Sequence, residues 1–74
     1  MELYFVKSEV KKIEGKEYCK ITLLDMQNVQ LFNFYTLVNE KSYNFVKDCK
    51  TFSNVTDKIC FVIKRNNKIS FDIK

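Results

Sequence analysis

The sequence has no histidine, no proline, one glycine and three cysteines in 74 residues. Without histidine, acid–base catalysis near neutral pH and most zinc sites lose their usual side chain. Without proline, and with a single glycine, there is no linker or low-complexity segment. Cys19, Cys49 and Cys60 are odd in number and form no C-x-x-C pair. Neither an even disulfide framework nor a paired-cysteine metal site is expected from them. Cys60 lies between apolar neighbours in Ile59-Cys60-Phe61, and all three read as small buried hydrophobes in a reducing compartment. The apolar runs are far too short to span a membrane. The Met-Glu-Leu start lacks the basic and apolar regions of a signal peptide. The expectation is a cytoplasmic protein with no membrane contact, no cofactor and no metal.

What is present is hydrophobic. Apolar residues make up 46% and aromatics 15%, well above the composition of a disordered tail. A chain of 74 residues holds one domain (residues 1–74) with a small core of marginal stability. Thirteen Lys and Arg face nine Asp and Glu, for a net charge of +4. Residues 1–38 balance their charges, so the whole excess falls in residues 39–74. A mild positive field suits a polyanion and also keeps a small protein in solution.

The periodicities predict five strands and one helix. Residues 2–13 read as a long strand with a bulge near Lys11-Lys12, where the apolar phase slips to Ile13. Glu14-Gly15-Lys16 reads as a hairpin turn. Over residues 17–25, Cys19, Ile21 and Leu23 form one face, and Tyr18, Lys20 and Thr22 the other. Residues 29–38 place Phe32 and Phe34 on one face and Leu31, Tyr35 and Leu37 on the other. With apolar residues on both faces, this strand is expected to be covered twice or to lie at an interface. Asn39 suits the N-cap of a short helix over 39–50, with Glu40 in its first turn. Residues 58–74 alternate as a hairpin, with a two-residue type I′ turn expected at Asn66-Asn67.

This order, β-β-β-α-β-β with a long bulged first strand and a closing hairpin, resembles the OB-fold, a five-stranded small barrel. The resemblance covers nearly the whole chain and is one of topology, without a sequence motif. The usual glycines at barrel bends are missing, so a curled antiparallel sheet with a helix on one face is the alternative. Small OB-fold proteins of phages and plasmids are similar in size and bind single-stranded nucleic acid. The resemblance implies the outer surface of strands two and three as the platform, flanked by the hairpin loops.

The carboxylates lie scattered among lysines and no glycine-rich phosphate loop exists, so catalysis is not expected. Single-strand binding needs cations along a groove and aromatic faces for the bases. Tyr18 and Tyr35 are the candidate stacking residues. Lys16, Lys20, Lys64, Arg65 and Lys68 are the candidate phosphate contacts. The competing expectation is a host-protein partner, as for a phage-encoded or anti-CRISPR-like inhibitor, met through Leu31, Tyr35 and Leu37. The same three residues would serve a homodimer.

Overall fold

The alternation of Cys19, Ile21 and Leu23 marks the centre of the fold, and all three side chains are buried. The structure, a computed structural model, describes residues 2–63 and 65–74. The fold is mainly β, with the order β1 (Leu3–Ile13), β2 (Lys16–Asp25), β3 (Gln30–Leu37), α1 (Glu40–Asp48), a 3-10 turn at Thr56–Lys58, β4 (Ile59–Ile63) and β5 (Ile69–Ile73). The strands form two antiparallel sheets, β1-β2-β3 and β4-β5. The sheets do not close into a barrel through backbone pairing, and β3 meets β5 by side-chain packing.

Local chemistry explains the connections. Glu14 and Gly15 have φ of 50° and 81°, so the β1–β2 turn has both central residues left-handed, as a type I′ turn requires. In the β2–β3 connection, the buried Asp25 carboxylate accepts from the Gln27 N–H and the Asn28 side-chain amide, each at 3.0 Å. Asn39 caps α1 reciprocally. Its Oδ1 accepts from the Ser42 N–H, and the Ser42 hydroxyl accepts from the Asn39 N–H, both at 2.9 Å.

Both remaining elements pack on one face of the three-stranded sheet. The helix contributes Phe45, whose ring meets Phe5 edge-on at 6.1 Å. The hairpin contributes Phe71, whose ring lies 5.4 Å from Phe32 and 6.4 Å from Phe34. Leu3, Phe5, Ile21, Leu23, Phe34 and Phe45 join Val55, Ile59 and Ile73 in one buried cluster. After the helix the chain returns to the edge of β1. There Phe5 N–H donates to Ser53 O at 2.9 Å and Val55 N–H to Leu3 O at 2.8 Å.

Three expectations change. The bulge is at Val6, between Phe5 opposite Leu23 and Lys7 opposite Thr22, and not near Lys11-Lys12. Leu3 and Phe5 are buried in the core before it, Ser8 and Val10 fall on the same inner side after it, and one extra residue reverses the phase. The closing hairpin has no two-residue type I′ turn. Its last pair among the described residues is Ile63 with Ile69, and of Asn66 and Asn67 only Asn67 has positive φ, at 58°. Residues 29–38 are covered on one face only. Phe34 is buried, while Leu31, Tyr35 and Leu37 stay exposed.

Candidate nucleic-acid interface

The uncovered face of β1-β2-β3 is an ordered grid, because antiparallel register sets side chains in rows across the sheet. Tyr4, Leu24 and Leu31 form the first row, and Lys7, Thr22 and Asn33 the second. Glu9, Lys20 and Tyr35 form the third, and Lys11, Tyr18 and Leu37 the fourth. Ile13 and Lys16 end the face at the first hairpin turn. Successive rows are about 7 Å apart, two residues of strand rise.

Lys20 therefore stands directly opposite Tyr35, with Tyr18 on the diagonal. Tyr35 is 44% exposed and Tyr18 is half-buried. Lys20 Nζ lies 3.7 Å from Glu9 Oε1 on its other side. This bridge is partly exposed and holds Lys20 weakly. Beside it, the Thr22 hydroxyl donates to Asn33 Oδ1 at 2.7 Å, which ties β2 to β3 on the open face. At the far end, the Tyr4 hydroxyl donates to Glu2 at 3.1 Å. That hydrogen bond and the carboxylate charge raise the Tyr4 pKa.

The sheet also sorts charge that the sequence leaves balanced. Lys7, Lys11, Lys16 and Lys20 share this face with Glu9 and with Glu2, which Tyr4 holds at its far end, whereas Glu17 faces the other side opposite Lys12 and Asp25 is buried. Residues 1–38 are neutral in sum, yet their open sheet surface is basic. Lys7 and Lys11 were not among the residues expected from the sequence. They belong to the grid because the bulge at Val6 moves odd-numbered positions of β1 to the outer face after Phe5.

The structure brings together Lys16, Tyr18, Lys20 and Tyr35, and with them Leu31 and Leu37. It does not join Arg65 and Lys68 to them. These two lie at the exposed tip of the β4–β5 hairpin, which packs through Phe71 on the opposite, inner face of β3. Lys64 lies outside the described residues.

Val10, Cys19, Val38 and Val46 line a cleft of about 300 Å³ between the far ends of β1 and β2 and the helix. It continues the core where the short helix leaves it open. The Ser42 hydroxyl on its wall is already committed to the cap and to Leu37 O. Burial raises the thiol pKa of Cys19 and Cys49, which disfavours a reactive thiolate at either. Among the described residues, no helix is long and apolar enough to cross a membrane. Comparison with protein-family models, curated proteins and solved structures finds no match, so the site is interpreted from its own geometry.

Proposed function

We propose that this is a non-catalytic protein that binds single-stranded nucleic acid on the uncovered face of β1-β2-β3. The observation that carries the reading is the pairing of Lys20 with Tyr35, beside Tyr18 and within a field of lysines. Stacking on a base is worth about 1–3 kcal/mol per aromatic side chain, and phosphate contacts supply the rest. Tyr18 and Tyr35 offer ring faces. Lys7, Lys11, Lys16 and Lys20 offer cations at the spacing of the rows. An unpaired strand fits because its bases are free to stack, whereas those of a duplex are not. Arg65 and Lys68 contribute to the positive field from the hairpin tip. The OB-fold resemblance points to the same strands.

The test is a fluorescence anisotropy titration of a labelled single-stranded oligonucleotide at two salt concentrations. Binding is expected at low salt and weakens as salt rises, because phosphate neutralisation releases counterions. No binding at low salt with about 100 μM protein ends the reading, since non-specific affinities fall within that range.

The exposure of Leu31 and Leu37 on the same face supports the second reading, a protein partner held through apolar contacts. A pull-down repeated after nuclease treatment separates the two. A protein partner retained without nucleic acid favours the second reading, and a loss of all partners favours the first.

A further inference from the structure

The cleft at the open end of the core is a small apolar site built by three parts of the chain. β1 and β2 line it with Val10 and Cys19, the β3–α1 connection with Val38, and α1 with Tyr43, Val46 and Lys47. Val10 stands opposite Cys19 in the ladder, on the inner side of the sheet. Cys19 is buried, but Val10 and Val38 are 60% and 44% exposed, so the walls hold apolar surface that the chain itself leaves uncovered. An apolar cavity of roughly 150 Å³ holds one benzene-sized molecule. At about 300 Å³, the cleft takes a body twice that size, which is too little for a helix or strand of a partner protein.

Its polar chemistry has one sign. Tyr43 and Lys47 are one helical turn apart on α1, so the hydroxyl and the ammonium share a face of the helix. Among the described residues, Lys47 forms no ion pair. Glu9 also borders the cleft, but its carboxylate lies 3.7 Å from Lys20 Nζ on the outer face of the sheet. The Ser8 and Ser42 hydroxyls are neutral, and Ser42 is committed to the helix cap and to Leu37 O. In the next inner row, Lys12 stands opposite Glu17 and the two cancel in charge. Lys47 is therefore an unpaired cation beside apolar walls, and the group that complements both is an anion on an apolar body.

We propose that this cleft binds a small amphipathic carboxylate, a free fatty acid of about eight to ten carbons, which matches twice a benzene ring in size. The alkyl chain lies along Val10, Cys19, Val38 and Val46 and gives them the cover they lack. The carboxylate accepts from Lys47 Nζ and from the Tyr43 hydroxyl at the mouth. A neutral alcohol fits the same walls but leaves Lys47 without a counter-charge. The cleft is on the inner side of the sheet, so its occupant leaves Tyr18, Lys20 and Tyr35 on the outer face free. The proposal is thus independent of nucleic-acid binding.

Amide NMR titrations with hexanoate, octanoate, decanoate and octanol test this. Saturable shift changes are expected at Val10, Cys19, Val38 and Val46, with affinity rising roughly fourfold per methylene up to decanoate. Lys47→Gln is expected to weaken decanoate about fivefold and to leave octanol unchanged. Lys47 is exposed, so this variant keeps the fold. Val10→Phe fills the cleft and abolishes decanoate binding, and Val38→Phe replaces it should Val10→Phe lose its fold. No saturable change with decanoate up to about 1 mM overturns the proposal, since a ligand of this size in a fitted site binds more tightly than that. So do shift changes centred on the exposed Phe61, Ile63 and Ile69, equal decanoate affinity in Lys47→Gln, or binding that survives in a folded, filled variant.

Discussion

Lys20 and Tyr35 face each other across the β2–β3 ladder on a surface that no other element covers. A cation beside an aromatic face, with a second tyrosine on the diagonal, combines phosphate attraction and base stacking in one small area. Tyr35→Ala is expected to weaken oligonucleotide binding by about 5- to 100-fold, the equivalent of one lost stacked base. Tyr35→Phe keeps most of the affinity. Neither variant lowers the melting temperature much, because the ring is already 44% exposed. Anisotropy titration and a thermal melt on the same samples check both statements.

The bulge at Val6 makes a separate prediction. It puts Lys7 on the open face of the sheet, so if that face binds as proposed, Lys7→Ala reduces the salt dependence of binding by about 0.7 in log K per log salt, one phosphate contact. Lys12, on the opposite side of β1 facing Glu17, leaves that slope unchanged when replaced by alanine. Affinities at several salt concentrations give the slopes.

Val29 closes the β2–β3 turn with φ of 50°. A β-branched side chain resists that conformation, and the left-handed region costs an L-residue roughly 1–2 kcal/mol. Asparagine adopts it readily, and the exposed valine loses little burial. Val29→Asn is therefore expected to stabilise the protein by about 1 kcal/mol. A urea midpoint that rises with unchanged slope is the sign to look for.

Cys19 and Cys49 make stability fall at alkaline pH. Burial lifts both thiols above their ordinary value of 9.0. Between the unfolded and folded values, the unfolded chain has released a proton that the native state still holds. Stability is thus complete below the ordinary value and is lost as pH rises through the raised one. Melting temperatures of the reduced protein are expected to drop over that range. The Cys19→Ala, Cys49→Ala double variant has a lower melting temperature at neutral pH and a shallower alkaline drop.

Much of the scaffold is legible in the sequence, where local chemistry is unambiguous. The Cys19-Ile21-Leu23 alternation, the Asn39 cap and the Glu14-Gly15 turn each rest on short-range periodicity or on a backbone requirement. The strand order and the mainly β class follow from them. The bulge position was not legible. Its phase is set by Leu3 and Phe5, which need the core, against Tyr4 and Val6, which look equally apolar in one dimension. The closing turn was misread because Asn66 and Asn67 tolerate positive φ without requiring it. The open-face residues of β2 and β3 were readable from alternation alone. Lys7 and Lys11 were hidden by the misplaced bulge. The inner-face docking of the hairpin depends on Phe71 meeting Phe32 and Phe34, a contact between residues far apart in sequence. It left Arg65 and Lys68 grouped with a face they do not share.

An amide NMR titration with a single-stranded oligonucleotide bears most directly on the claim that the uncovered face of β1-β2-β3 is the binding surface. Shift changes are predicted to concentrate at Lys7, Lys11, Tyr18, Lys20, Asn33 and Tyr35, with α1 and the root of the β4–β5 hairpin unmoved. Changes confined to the helix or the hairpin, or no change at any residue, would contradict it.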